Sequence, residues 1–198
     1  MNTNLNVNNK YDNCYNLNDL NENEIKELKD LFKVEYFESP INKFSKKIYN
    51  LFVNGIPYDP TDSDDLYYMG VYYQYIRKNY DLAIKYYFLA SDNGDTNATN
   101  NLGVWYQYFN GKSDDNLAEK YYIMAVNKEN TTAMYNLGFF YYNKKKYDLM
   151  KKYLLMAIER GFSDAMYCLG RYYEQIEKNN DLAKKYYSMI YDSSCIET

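Results

Sequence analysis

Histidine is absent from the 198-residue sequence. Its absence removes the commonest general base, the usual activator of a serine or cysteine nucleophile and the commonest zinc ligand. Cysteine is scarce, because Cys14, Cys168 and Cys195 are an odd number without the paired spacing of a metal site. We expect free thiols in a reducing compartment. The sequence therefore predicts no catalytic, cofactor-binding or metal-binding residue and favours a protein that is not an enzyme.

Long apolar runs are missing too. The longest, such as "YLLMAI" at 153–158, fall far short of the roughly 20 residues that a membrane-spanning helix needs. The N-terminus has neither a basic segment before an apolar run nor an Arg-rich amphipathic pattern, so it shows no secretory or mitochondrial signal. These features predict a cytoplasmic protein that does not contact a membrane.

Concentrated positive charge is the next absence. The net charge is −4, and lysine is spread through every segment of the chain. A groove for nucleic acid needs positive charge in one place, so nucleic acid is a poor first candidate for a partner. What the chain has in excess is tyrosine, with 28 residues. Many of these tyrosines recur at fixed positions of an internal repeat.

The repeat consists of a large apolar residue, a glycine, an aromatic residue two positions after the glycine and a tyrosine three positions after it. The four glycines and their tyrosines are Gly70, Gly103, Gly138 and Gly170 with Tyr73, Tyr106, Tyr141 and Tyr173. A second block of helical spacing follows each copy and starts at Asp81, Asn116, Asp148 or Asp181. Each unit is therefore predicted to be a helical hairpin. Those four polar residues are its expected N-caps, and Gly94 and Gly161 are expected C-caps.

Segment lengths show which part of the repeat is held constant. The distance from the glycine to the next block start is 11, 13, 10 or 11 residues, whereas the distance from a block start to the next glycine is always 22. The variation falls inside the hairpins, and the junctions between them have one length. The sequence thus predicts that hairpins stack on each other in one geometry.

The pattern Ala-x-x-x-Leu-Gly-x-x-Tyr, then a variable loop, then Asp-x-x-Lys and Tyr-Tyr-x-x-Ala resembles the Sel1-like repeat (SLR), a relative of the tetratricopeptide repeat. The resemblance covers residues 64–198 and implies an all-α fold, a right-handed superhelical solenoid of stacked hairpins. One feature departs from the family: its usual Gly-x-Gly near the end of the first helix has Gly111 as its only candidate here. The expected repeats are about 64–95, 96–130, 131–162 and 163–198.

The N-terminal quarter is expected to differ from these repeats. Within residues 17–63, Asn42, Lys46 and Gly55 have the same mutual spacing as Asp81, Lys85 and Gly94, which predicts a degenerate helical hairpin that caps the array. Residues 1–16 are rich in asparagine and are expected to be disordered.

A glycine inside a helix costs about 1 kcal/mol relative to alanine, so four in register need a reason. We interpret them as places where the two helices of a hairpin approach closely, and we expect the four repeat tyrosines to be buried. Positions that lack this packing pattern are expected to line the concave face. They predict a partner-binding set: Tyr67, Gln74, Asn100, Asn101, Gln107, Tyr135, Asn136, Phe139, Tyr142, Arg171 and Glu174.

The resemblance implies a non-catalytic protein–protein interaction scaffold, or adaptor, whose concave face binds another protein or an extended peptide. Amide side chains could clamp a peptide backbone, and Arg171 could pair with a carboxylate. Two alternatives stay open: a nucleic-acid-binding helical repeat protein with exposed aromatic residues, and an enzyme that uses carboxylates in the groove. Weak self-association through the last hairpin is also predicted, because that hairpin could leave four residues partly uncovered: Leu182, Tyr186, Met189 and Ile190.

Overall fold

The computed structural model describes Asp59 and residues 61–75, 77–108 and 113–194. Residues 1–16, nearly all of 17–63, and Gly111 lie outside these ranges, as do the predictions made for them. The described chain contains eight helices and no strand. The helices are α1 Ser63–Tyr75, α2 Tyr80–Asp92, α3 Thr96–Tyr108, α4 Asp115–Asn127, α5 Thr131–Asn143, α6 Tyr147–Ile158, α7 Ser163–Gln175 and α8 Asn180–Ser194.

The helices pack in pairs, and the pairs stack. The most extensive contacts join α1 to α2, α3 to α4, α5 to α6 and α7 to α8. The second helix of each of the first three pairs also packs on the first helix of the next pair. The prediction of an all-α array of stacked hairpins is confirmed. Within the described ranges, no helix is both long and apolar enough to cross a bilayer.

The repeat glycine is the point where each hairpin closes. A Cβ atom on the glycine would lie 2.5–2.8 Å from a side chain of the second helix, closer than real Cβ contacts come. The pairs are Gly70 with Tyr87, Gly103 with Tyr122, Gly138 with Leu154 and Gly170 with Tyr187. These contacts account for the glycines in the first helices, because a Cβ atom there would force the covering side chain of the second helix to shift.

The repeat tyrosines are less buried than the sequence predicts. Tyr141 is 2% exposed, but the other three are half-buried, so the expectation was wrong for them. Each stacks on a tyrosine of the second helix with ring centroids 5.4–5.7 Å apart, in the pairs Tyr73–Tyr86, Tyr106–Tyr121, Tyr141–Tyr153 and Tyr173–Tyr186. A tyrosine at the rim of a hairpin can bury its ring face and still leave its polar tip near water.

The predicted N-caps were wrong by two residues. Asn79 caps α2 by accepting a bond from the backbone N–H of Leu82, and Asp114 caps α4 by accepting from that of Leu117. Asn179 accepts in the same way from Leu182 at the start of α8. The carboxylates of the predicted set lie instead in the first turns of their helices, where negative charge is favourable for the helix dipole. Acidic residues are enriched at both places, and composition alone did not separate them.

The ends of the second helices share a left-handed residue. Gly94 and Gly161 have φ angles of +98° and +78°, in agreement with their predicted role after α2 and α6. Glu129 occupies the corresponding position after α4 at φ +64° without the benefit of glycine. Inside the hairpins, three lysines also have positive φ, each shortly after a first helix: Lys78, Lys145 and Lys178.

Polar side chains hold the junctions between hairpins. Asn130 accepts a bond from the Ala133 N–H at 2.8 Å, and its amide donates to Thr96 Oγ1 and Asn97 Oδ1, each at 3.0 Å. The corresponding residue one repeat earlier is Asp95, which caps α3 through the Ala98 N–H. Burial raises the pKa of the Asp95 carboxyl, and the nearby Asp64 charge acts in the same direction.

Candidate partner-binding face

The first helices α1, α3, α5 and α7 contact one another in sequence and form one continuous wall. We call the surface formed by the positions two and three before and one and four after each repeat glycine the first-helix face. All eleven predicted partner-binding residues lie on it. Their exposure is uneven: Asn100 is 5% exposed, Phe139 is 37% exposed, and Arg171 and Glu174 are exposed. The accessible part of the face therefore lies on α5 and α7.

Asn100 and Asn136 form an internal bond between neighbouring first helices. The Asn136 amide donates to Asn100 Oδ1 at 2.9 Å. Because Asn100 is buried, the expectation that it is accessible to a partner was wrong. The pair instead fixes α3 against α5.

Three other predicted residues accept bonds from tyrosines beneath them. Gln74 accepts from the Tyr87 hydroxyl at 2.6 Å, Gln107 from Tyr122 at 2.7 Å and Glu174 from Tyr187 at 3.0 Å. These tyrosines are the residues that pack over Gly70, Gly103 and Gly170. Burial raises the pKa of Tyr87 and of Tyr122, so both hydroxyls remain protonated donors. The acceptor oxygens are therefore already engaged inside the hairpins.

The third hairpin replaces both members of this pair. Leu154 lies over Gly138 where the others have tyrosine, and Tyr142 stands where they have Gln or Glu. Sequence reasoning missed the relation between the two positions. The signal was present, because the acceptor and the second-helix tyrosine occur together in three repeats and are lost together in one.

The surface of the third hairpin carries three aromatic residues of α5, one of which is Tyr142. We call Tyr135, Phe139 and Tyr142 the aromatic shelf. The Phe139 ring lies 6.3 Å from that of Tyr135 and 6.2 Å from that of Tyr142, with interplanar angles of 22° and 17°. Phe162 supports one end at 5.3 Å from Tyr135, and Tyr147 supports the other at 6.3 Å from Tyr142. The shelf is thus fixed in place by the junction and by α6.

Tyr67 and Asn101 join the first two hairpins. The Asn101 side chain acts on the hydroxyls of both Tyr67 and Tyr87 and opposes the rise of their pKa. The Tyr67 ring lies 6.1 Å from that of Tyr87. Burial raises the pKa of Tyr67 to about 12, with the Asp95 charge contributing in the same direction. Both residues are half-buried and have partners within the chain.

Arg171 lies on α7 at the repeat position that Phe139 occupies on α5. Its guanidinium donates to Gln175 Oε1 at 3.3 Å, one turn along the helix. Burial raises the pKa of the neighbouring Cys168 thiol, and the Arg171 charge opposes that shift. The Cys168 thiol in turn acts on Tyr135, so the three residues are electrostatic neighbours. Because α5 and α7 contact each other, the shared repeat position places the Arg171 cation on the helix next to the aromatic shelf.

Three exposed tyrosines of the first helices were missing from the predicted set: Tyr75, Tyr108 and Tyr167. Tyr167 is 53% exposed and lies three residues before Gly170, a position that the sequence rule includes but the predicted set omits. Tyr75 and Tyr108 stand five residues after their glycines at the ends of α1 and α3, where the packing pattern stops. A rule extended by one position would have found them.

Buried carboxylates are few in the part of the chain that the structure describes. Asp65 and Asp95 are the buried ones, and the Asp95 carboxylate caps α3. In the ranges that the structure describes, no group of three or more cysteines and carboxylates is arranged to hold a metal ion. Aromatic, amide and guanidinium groups predominate on the first-helix face, and they suit binding of a polypeptide.

Comparison with known proteins identifies the repeat. The family model of the Sel1 repeat matches residues 63–95, 96–130, 131–144 and 163–194. A Sel1 repeat protein from Oxalobacter formigenes has a similar crystal structure, with a TM-score of 0.60 and 23% identity over 86% of this chain and 79% of that one. A search of curated proteins gives no significant match.

A second solved structure is a protective antigen of uropathogenic Escherichia coli strains that displays an SLR fold. It has a TM-score of 0.62 and 19% identity, and the match covers 85% of this chain but only 41% of the antigen. At these identities the two structures support the fold alone. The chain thus corresponds to less than half of the antigen and to most of the Oxalobacter protein.

Proposed function

This chain belongs to the Sel1 repeat family, and from that premise we propose that it is a non-catalytic scaffold that binds a partner protein or extended peptide on its first-helix face. Sel1 repeat proteins are generally protein-interaction scaffolds. A stack of hairpins presents one long surface whose backbone is rigid, which suits recognition of an extended segment.

The exposed aromatic surface on α5 and α7 is the observation that carries this proposal. Phe139 and Tyr167 are large, accessible and located on the face that the first helices share. Aromatic residues and arginine contribute most to binding energy in protein interfaces. The rest of the face supports them, since its amides and tyrosines fix the helices to one another.

The test is affinity capture with the full chain as bait, followed by quantitative mass spectrometry. A Phe139→Ala/Tyr167→Ala variant removes two exposed aromatics from the first-helix face. Met124→Ala/Leu155→Ala is the matched control, because it removes two exposed apolar side chains from second helices. We expect recovery of a captured partner to fall about tenfold or more with the first variant and to stay unchanged with the control. The reverse pattern would move the interface to the second helices and contradict the proposal.

A further inference from the structure

The aromatic shelf has binding capacity that the hairpin does not use. Phe139 is 37% exposed, and the rings on either side of it are half-buried. Among the described residues, none hydrogen-bonds to the hydroxyl of Tyr135 or Tyr142. The shelf therefore combines an apolar surface with two hydroxyls that can still bond to a ligand.

Arg171 provides charge at the edge of the shelf. Among the described residues, no carboxylate forms an ion pair with Arg171, whereas Lys144, Lys151 and Arg160 each have such a partner. Two carboxylates lie near: Glu174 accepts a bond from Tyr187, and the Asp164 charge reaches Tyr135. The guanidinium thus remains available to a partner group of negative charge, with its own planar donors exposed.

Resting on the proposed function, we infer that the aromatic shelf and Arg171 form one anchor for an extended segment of the partner that carries a large apolar side chain close to a single acidic side chain. Phe139 and Arg171 occupy the same repeat position on the contacting helices α5 and α7, and neighbouring packed helices lie about 8–10 Å apart. About two to three residues of an extended segment span that distance. The apolar side chain packs on Phe139, and the carboxylate pairs with Arg171.

Charge distribution selects this partner over two related ones. The net charge of −4 opposes a long acidic run, whereas a single carboxylate beside one arginine meets local attraction. Capture of a chain terminus relies on a nest of backbone N–H donors. Arg171 lies inside α7, where the backbone donors are engaged within the helix, so it offers no such nest and we assign the carboxylate to a side chain.

The experiment selects twelve-residue peptides from a random display library against the full chain. The best peptide is then synthesised with its acidic residue intact or replaced by the corresponding amide. Binding of both peptides is measured by fluorescence anisotropy to the wild type, Phe139→Ala, Arg171→Gln and Arg160→Gln. Arg160→Gln is the matched control, because it removes the same charge from the junction after α6.

We expect the selected peptides to carry an aromatic or large aliphatic residue within three positions of Asp or Glu. Phe139→Ala and Arg171→Gln each weaken binding about tenfold, and Arg160→Gln leaves it within about twofold. The peptide amide binds the wild type about tenfold more weakly, yet this difference vanishes in Arg171→Gln.

Three results overturn the inference. If the selected peptides lack an acidic residue, or if Arg171→Gln binds them with unchanged affinity, Arg171 does not pair with a carboxylate of the partner. Binding that survives Phe139→Ala shows that the anchor is not the aromatic shelf, whether or not the partner still uses the first-helix face. Failure to enrich any peptide also overturns it, and the capture experiment then decides whether a folded protein occupies the face.

Discussion

The second and third hairpins share their helix plan and their glycine, yet they fill the space above that glycine in two ways. In the second, Tyr122 covers Gly103 and donates its hydroxyl to Gln107 at 2.7 Å. In the third, Leu154 covers Gly138, and the position of Gln107 is taken by Tyr142.

The difference shows how internal packing determines what the surface can offer. A buried hydroxyl requires an acceptor, because an unsatisfied one costs about 1–3 kcal/mol. In the second hairpin that requirement uses a residue of the first-helix face. An apolar residue over the glycine removes the requirement, and the surface position becomes available for an aromatic side chain.

The largest effect is expected for Leu154→Tyr, which places a tyrosine over the glycine of the third hairpin as in the second. Leu154 is fully buried, so a larger ring overpacks the hairpin, and its hydroxyl meets Tyr142 in place of an amide. We expect a loss of about 2–5 kcal/mol in the free energy of unfolding, measured by urea denaturation.

The compensating change sharpens the same prediction. Leu154→Tyr with Tyr142→Gln rebuilds the pair of the second hairpin, and we expect the double variant to recover about 1–3 kcal/mol relative to additivity. Tyr142→Gln alone provides the fourth corner of the cycle. Effects that add to within about 0.5 kcal/mol would show that the two positions are independent.

Gly103→Ala tests the part that the two hairpins share. Alanine favours a helix over glycine by about 1 kcal/mol, but its Cβ would lie 2.6 Å from the Tyr122 ring, which is 1% exposed and cannot swing away. We expect a net loss of about 1–2 kcal/mol. Thr132→Ala at the exposed start of α5 is the control, with an effect within about 0.5 kcal/mol. If Gly103→Ala were more stable than the wild type, close approach of the two helices would not be the reason for the glycine.

Deleting a single hydroxyl distinguishes the second hairpin from the third, with a smaller expected loss of stability. Tyr122→Phe removes the bond to Gln107 and should cost about 0.5–1.5 kcal/mol in thermal or urea unfolding. Tyr142→Phe removes a hydroxyl that no described residue bonds, so its effect should stay within about 0.5 kcal/mol. Equal losses in the two variants would mean that the described bond contributes nothing specific.

The same contrast explains how far the sequence could lead. Glycine spacing and helical periodicity predicted the hairpins and their stacking, because both depend on residues that recur in register. The internal use of Gln74, Gln107 and Glu174 was not predicted, since it depends on a hydroxyl that arrives from the facing helix. Burial of Asn100 likewise follows from its bond to the next first helix, a contact 36 residues away in sequence.

Exposure within the candidate site was predictable only in part. The sequence rule included Phe139 and Arg171, which are exposed. It treated all four hairpins alike, whereas the accessible part lies on α5 and α7. That gradient depends on packing between hairpins, to which a rule applied within one repeat is insensitive.

The junctions between hairpins differ in charge, and we expect this difference to have the smallest effect on stability. Asn130 joins the second and third hairpins as a neutral amide, whereas Asp95 has the same place one repeat earlier with a pKa raised by burial. Because the folded state binds the Asp95 proton more tightly, the contribution of this carboxyl to stability is greatest below the ordinary Asp pKa of 3.8. That contribution falls as the pH rises through the raised pKa of the folded state. Asp95→Asn keeps the cap and should therefore gain stability over the wild type at pH 7.

The pH dependence of that gain is the decisive measurement. Urea unfolding of the wild type and Asp95→Asn at pH 7 and pH 3 should show a difference that shrinks toward zero at the lower pH, since the wild-type carboxyl is then protonated in both states. Asp81→Asn is the control, because its exposed charge in the first turn of α2 favours the helix dipole, and its loss brings no such gain. A difference that is constant with pH would assign the effect of Asp95→Asn to hydrogen bonding, and the two junctions would then differ in geometry alone.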